Sequence, residues 1–377
     1  MPVPPQRFDG SCVGAIMYEF TEGSVTIDVP EYEIQTSRNE VFYNPVMEFN
    51  RNVSILLTRC LPPERDILCG MAGTGVRALR YVREAGHHVD ANDINPLAAR
   101  LISSNAEKND INITAMNKDL NLIDGKYDVV DVDPFGSPVR YVHPIMRLFK
   151  KEGYLFVTAT DTAALCGSFK NACVRKYGAL PLKTAYCHEV GLRILLGYVA
   201  RCAASWNYGV TPIMSFYKDH YMRVHVYIRR GKRRADESMR HLGYINHCFS
   251  CSHRSHSHTP ECTCACGNTF NHANPVWTGK LCSETMLDEM LQEVQQAHVG
   301  DKEAMIRFIT LLRDEVSIPY HWDSHEMASI LRLPAAPLET ILSKIRDAGH
   351  ACSRTHFSPT SFKTDATLAD LASIFTD

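Results

Sequence analysis

The sequence has no run of eighteen apolar residues, so no segment is expected to cross a bilayer as a helix. Its opening decapeptide, MPVPPQRFDG, lacks the apolar core of a secretory leader, which points to a cytoplasmic chain. A charge imbalance is missing as well: 40 Lys and Arg face 42 Asp and Glu, for a formal net charge of −2. Global charge therefore announces no polyanionic partner, and any basic surface must be local. Internal repeats and long low-complexity tracts are absent, which removes the basis for a repeat architecture. Nothing indicates an obligate protein partner.

Cysteine is what the chain has in excess, with 14 residues in two populations. Nine are scattered among apolar neighbours and read as small buried hydrophobes. Five crowd into residues 248–266, a spacing that suggests a metal site rather than a disulfide framework.

From Asp66 the pattern alternates. Strand-like DILCGMA (66–72) runs into a glycine-rich turn and helix (72–86). Strand (87–93), helix (96–108), strand (113–119), strand (127–133), helix (138–150) and strand (154–161) follow. Alternation with short connections predicts a parallel, doubly wound sheet. After a helix over 183–206, residues 211–231 read as two long strands about a Lys218-Asp219-His220 turn. A parallel sheet closed by an antiparallel hairpin is the mark of a Rossmann-like class I methyltransferase. The first 60 residues read as irregular and partly extended, apart from a short helix over 50–61. Composition shifts after Arg234, dividing the chain into 1–235 and a smaller C-terminal α+β domain, 236–377. In the latter, amphipathic helices run from Leu281 through Leu312, and residues 324–364 read as a winged-helix-like tail.

Acidic residues and glycines fall at the carboxyl ends of the predicted strands, where open α/β sheets bind ligands. Gly70 opens the turn GMAGTG; its G-x-x-G-x-G spacing departs from the dinucleotide G-x-G-x-x-G and weakens an NAD reading. Asp93 closes the second strand, where a carboxylate accepts from both hydroxyls of a ribose. Asp119 is placed to meet an adenine amino group, and Leu120 to lie on the adenine face. Arg51 and Arg77 are candidates for the carboxylate of an amino-acid-bearing cofactor.

The stretch DVDPFGSP (131–138) carries the chemistry. Asp133 ends a strand beside the presumed cofactor. An exocyclic base amine is a poor nucleophile, because its lone pair is delocalised into the ring. A carboxylate accepting its N–H raises electron density on nitrogen and takes the proton. Pro134 fixes the backbone and offers its carbonyl as a second acceptor, and Phe135 offers a stacking face. Phe42, in VFYNP, is the candidate for the opposite face, with Tyr43 second. Asp128 and Asp131 lie deeper in the strand and read as structural.

On these residues the chain resembles the tRNA guanine-N2 dimethyltransferases, archaeal in length. The resemblance rests on VFYNPVMEFNR, AGTGVR, NDINP, DVDPFGSP, VTATDTAALCG, NACVRKYG, CHEVGLRIL, FYKDHY and RTHFSPTSFKT. It implies a tRNA substrate methylated at the N2 of guanine 26, with S-adenosylmethionine contacted by Arg51, Arg77, Asp93, Asp119 and Leu120. It also implies catalysis by Asp133 with the guanine held between Phe42 and Phe135. The alternatives are a zinc-containing NAD-dependent dehydrogenase and a non-catalytic RNA-binding scaffold.

Cys248-x-x-Cys251 followed by Cys262-x-Cys264-x-Cys266 suits a structural zinc ion. The second pair is Cys262 with Cys266 or Cys264 with Cys266, and His253, His256 and His258 are spare candidates. The basic run RRGKRR (229–234) is a candidate contact for tRNA phosphates. His188-Glu189 reads as a buried helix start.

Overall fold

The computed structural model describes residues 17–30, 41, 43–334 and 336–376. An antiparallel hairpin, β1 (Met17–Glu22) and β2 (Val25–Pro30), precedes helix α1 (Glu48–Arg59). The alternating region follows: β3 (Asp66–Cys69), α2 (Val76–Ala85), β4 (His88–Asn92), α3 (Pro96–Lys108), β5 (Thr114–Met116), β6 (Tyr127–Val132), α4 (Val139–Ile145) and β7 (Phe149–Ala159). Helices α5 (Thr162–Leu165), α6 (Lys170–Tyr177) and α7 (Cys187–Ser205) lead to β8 (Tyr208–Lys218) and β9 (Tyr221–Arg230). These strands form one seven-stranded sheet in the order β5-β4-β3-β6-β7-β9-β8. The first five are parallel, while β9 pairs antiparallel with both β7 and β8. This is the expected Rossmann-like class I methyltransferase arrangement.

The central strands are apolar on both faces, as a sheet covered by helices on both sides requires. Leu68, Val130, Val132, Leu155 and Val157 pack on one side with α4 and α7. Ile67, Cys69, Val129 and Phe156 pack on the other with α1 and α2. Asn95 caps α3 by accepting from the Leu97 N–H (2.9 Å), with Pro96 at the first helical position.

The remaining elements are α8 (Lys232–Met239), β10 (Leu242–His247), β11 (Arg254–Ser257), β12 (Asn271–Trp277), α9 (Glu284–Glu293), α10 (Lys302–Asp314), β13 (Trp322–Asp323), α11 (Ser324–Leu331), α12 (Leu338–Asp347), β14 (Cys352–Arg354), β15 (Ser361–Thr364) and α13 (Leu368–Thr376). They add two small sheets, ordered β11-β10-β12 and β13-β15-β14. The composition change near residue 235 falls inside α8, which packs on β8 through a 2.7 Å bond from the Val210 N–H to Ser238 Oγ. Ala273, Val276 and Trp277 join the core of α7, and Leu287 and Met290 join that of α1, so the hydrophobic core is continuous across that position. Among the described residues no helix is long and apolar enough to cross a membrane.

Several expected boundaries move. The segment 17–30 is a hairpin, because Val25, Ile27 and Val29 alternate onto α2 and α3. The helix expected over 138–150 stops at Ile145, just past the interior Pro144, and Phe149–Gly153 joins the following strand. The strand β12 carries no expectation from the sequence.

Candidate active site

Gly70, Asp93, Asp119 and Asp133 lie at the carboxyl ends of β3, β4, β5 and β6, on either side of the point where the sheet order reverses. They line one cleft of about 590 Å³ together with Arg51, Arg77, Leu120, Pro134 and Phe135. Gly70 stands in a tight place: a Cβ there would meet the Leu120 methyls at 3.0 Å and the Asp131 carbonyl at 3.1 Å, so Leu120 would have to give way. Leu120 is buried behind it. Asp93 is anchored by two backbone donors, Gly73 N–H to Oδ2 and Asn95 N–H to Oδ1, both 2.9 Å. Burial pushes its carboxyl up, and those two N–H groups oppose the shift. Asp119 lines the cleft, and its Oδ1 accepts from the Asn121 N–H (2.9 Å).

Asp133 is partly exposed, and its Oδ2 is ion-paired with Arg77 Nη2. Arg77 is buried, and its Nη1 donates to Asn50 Oδ1 (3.2 Å), Ser54 Oγ (3.0 Å) and Asp131 Oδ2 (3.3 Å). Asp131 also accepts from Arg223 Nη2 (2.9 Å to each oxygen) and from the Tyr81 hydroxyl (2.7 Å). Burial alone would raise the Asp131 carboxyl, but Arg223 and Arg77 hold it below its ordinary value. Two carboxylates and two guanidiniums thus close a neutral cluster beneath the site.

Both arginines expected at a cofactor carboxylate are therefore engaged within the protein. Arg51 forms a bidentate pair with buried Glu22, Nε to Oε1 (2.6 Å) and Nη2 to Oε2 (2.5 Å). Glu22 also accepts from Arg80 Nη1 (2.9 Å) and the Tyr43 hydroxyl (3.0 Å). Tyr43 is buried with its hydroxyl held by Glu22, at the wall of the same cleft. Phe42 lies outside the described residues.

Phe135 projects from the β6 end with 55 % of its surface exposed, while Pro134 is buried. The loop between them and α4 is tied to the end of β7. The Gly136 N–H donates to Thr160 Oγ1 (2.7 Å), and the Thr160 N–H donates to the Gly136 carbonyl (2.9 Å). Ser137 Oγ donates to the Tyr177 hydroxyl (3.0 Å), which in turn donates to Asp161 Oδ1 (2.6 Å). The far wall is the β8–β9 turn, where Asp219, His220 and Tyr221 line the cleft. Thr160 carries the same strand-end signal as Asp133. The turn residues belong to the FYKDHY motif, but their place at the cleft follows only from the antiparallel insertion of β9 beside β7.

The profile of a family described as N2,N2-dimethylguanosine tRNA methyltransferase matches residues 23–376. The chain belongs to that family. It is 37% identical over 374 residues to the tRNA (guanine(26)-N(2))-dimethyltransferase of Methanothermobacter thermautotrophicus, covering 95% of this chain and 98% of the relative. The protein of the same name from Thermococcus kodakarensis is 35% identical, with 94% and 97% covered. Among solved structures, the complex of Trm1 from Pyrococcus horikoshii with S-adenosyl-L-methionine superposes with a TM-score of 0.86 at 33% identity, over 94% of this chain and 99% of that one. These likenesses carry the methyltransferase reading and give none to the dehydrogenase alternative.

In this member of the family the cysteine-rich block folds into two facing knuckles. Cys248, Cys251, Cys264 and Cys266 bring their sulfurs within 4.8 Å of one another, with Cys248–Cys266 at 3.6 Å and Cys251–Cys264 at 3.5 Å. Cys262 is corrected: it is exposed and outside the tetrad, its carbonyl accepting from the Phe270 N–H (3.1 Å). The turn closed by the Gly267 N–H on the Cys264 carbonyl (2.8 Å) presents Cys264 and Cys266 instead. His253, His256 and His258 also stay outside.

The basic run 229–234 begins at the opposite end of the strands from the cleft. Arg229 pairs in register with Glu152 at the start of β7, whereas the cleft lies beyond Ala159 at its end. Part of its charge is met locally, by Arg229 with Glu152 (3.3 Å) and Arg233 with Glu237 (3.6 Å). A phosphate contact by this run would therefore be separate from the cleft.

Proposed function

We propose that this chain transfers methyl groups from S-adenosylmethionine to the exocyclic N2 of guanine 26 in tRNA, in the cytoplasm, adding two in succession. The observation that carries the reading is the placement of Asp133: one cleft holds it together with the two carboxylates suited to a nucleoside cofactor, beside an exposed aromatic ring.

The donor supplies an electrophilic methyl group on a sulfonium centre. Asp93 accepts from the ribose hydroxyls, Asp119 from the adenine amine, and Leu120 packs on the adenine. The flipped guanine stacks on Phe135, with Phe42 on its other face. Arg77 occupies Asp133 Oδ2 and fixes the carboxylate's orientation, leaving Oδ1 to accept the N2–H. As the N–C bond forms and the S–CH₃ bond breaks, Asp133 takes the proton released from N2 and passes it to solvent. The monomethyl product retains one N–H, so the same group serves the second transfer. Arg51, paired with Glu22, stands at the cofactor's amino-acid end.

The sulfur tetrad fits zinc in donor type and spacing, and Cys248, Cys251, Cys264 and Cys266 would hold it in a folding role. The test of the reading is incubation of purified protein with labelled S-adenosylmethionine and a tRNA transcript. Label is expected in N2-methylated guanosine after digestion; label absent from that nucleoside refutes it.

A further inference from the structure

Two of the long motifs, VTATDTAALCG and CHEVGLRIL, end and begin at the same place in space. Cys166 caps α5, and Cys187 and His188 are the first two residues of α7. Their two sulfurs and an imidazole nitrogen all lie within 4.8 Å of one another. The approach is built into the backbone. A Cβ on Gly191, one turn along α7, would stand 3.0 Å from Leu165 Cβ and 3.2 Å from the Leu165 carbonyl carbon. Gly167, at φ +88°, turns the chain directly after Cys166, and its Cβ would lie 3.1 Å from the Lys183 nitrogen. A side chain at Gly191 would crowd α7 against the end of α5, and one at Gly167 would crowd the segment leading into α7.

The His188 ring is oriented by stacking on Tyr217, with centroids 4.0 Å apart and planes 14° from parallel. Among the described residues its nitrogens have no hydrogen-bond partner. Glu189 turns away into a separate buried network, bonding Lys363 Nζ (2.7 Å), Arg193 Nε (3.0 Å) and His321 Nδ1 (2.9 Å). The cluster is thus an oriented Cys₂His set of soft and borderline donors. Cys166 is buried, while Cys187 and His188 are half-buried and leave a path for an ion.

We propose that Cys166, Cys187 and His188 form a second zinc-binding site, distinct from the four-cysteine cluster, with solvent in the fourth position. Tetrahedral zinc with such ligands sets donor atoms about 3.3–3.8 Å apart, so side-chain rotations of about 1 Å complete it. The ion joins α5 to α7. Through His188 and Tyr217 it also braces the β8–β9 turn, whose Asp219, His220 and Tyr221 wall the cleft. Its role is to hold that wall, and its existence does not depend on the methyl-transfer reading.

The test is the zinc content of full-length protein, purified after zinc-supplemented expression, desalted and measured by plasma mass spectrometry. About two ions per chain are expected, falling to about one in Cys187→Ser, in His188→Gln and in Cys264→Ser. As a readout that does not depend on how variants fold, thiol alkylation of the wild type should label Cys187 faster after chelation and be slowed again by added zinc. One ion per chain with Cys187 labelling indifferent to zinc would overturn the proposal, as would a Cys166–Cys187 disulfide in the folded, purified protein.

Discussion

Arg77 reaches Asp133 with one Nη and Asp131 with the other, so its guanidinium ties the proposed proton acceptor to the buried charge cluster below it. Asp131 in turn holds Arg223 (2.9 Å), and the four groups are neutral only together. Removing the cation leaves two carboxylates facing one guanidinium. Arg77→Met should therefore destabilise the protein by about 3–5 kcal/mol. Denaturant unfolding checks this, and a loss below about 1 kcal/mol would show that the cluster tolerates the missing charge.

Phe135 offers a wide exposed face at the mouth of the cleft. Phe135→Ala should cost roughly 1–3 kcal/mol in kcat/KM for tRNA, the size of one base–aromatic stack. The affinity for S-adenosylmethionine measured by calorimetry should stay the same. Equal losses in both would mean that Phe135 shapes the cofactor pocket rather than holding the base.

Glu189 and Glu315 are both buried and share Lys363, at 2.7 and 2.8 Å. Burial pushes each carboxyl up, but for Glu189 the attraction of Lys363 and Arg193 prevails and holds it down at about 2. Glu315 is held well below the ordinary range by Lys363 and His356 in the same way. A folded value below the unfolded one gives stability that is complete above the ordinary carboxylate value of 4.5 and is lost as the pH falls toward 2. Glu189 alone accounts for about 3 kcal/mol of that loss. Stability followed by urea unfolding between pH 5 and about 2 should fall accordingly, and Lys363→Met should flatten the fall. An unchanged acid limb in that variant would contradict the assignment.

Cys262 and Cys264 separate cleanly. Cys262→Ser should keep the tetrad's zinc, and Cys264→Ser should lose it with local unfolding of the 248–270 segment, seen as faster hydrogen exchange. Equal retention or equal loss would contradict the geometry of the second knuckle.

The strand-end residues were legible in the sequence because short apolar runs broken by glycine or a carboxylate show roughly where each strand stops, although β5 ends at Met116, three residues before Asp119. Asp93, Asp119 and Asp133 needed no tertiary knowledge beyond the order of elements. What Arg51 and Arg77 contact was not legible. Their partners, Glu22 and Asp131, lie 29 and 54 residues away, and pairing over such separations depends on how α1 and α2 pack. The N-terminal hairpin that carries Glu22 has alternation too short to stand out beside its polar neighbours. The choice between Cys262 and Cys264 depended on a turn geometry to which both spacings are equally compatible. The cleft wall at Asp219–Tyr221 was hidden for a topological reason, since it reaches the site only by antiparallel pairing from 60 residues beyond β7.

The central claim is that the Asp133 carboxylate accepts the N2 proton of the target guanine. Mass spectrometry of nucleosides from tRNA incubated with S-adenosylmethionine and either the wild type or Asp133→Asn tests it most directly, with cofactor binding confirmed for both. The wild type should yield N2,N2-dimethylguanosine, and the variant, folded and still binding cofactor, should be slower by about 10²–10⁴-fold at both transfers. Dimethylation at an undiminished rate by Asp133→Asn would contradict the account.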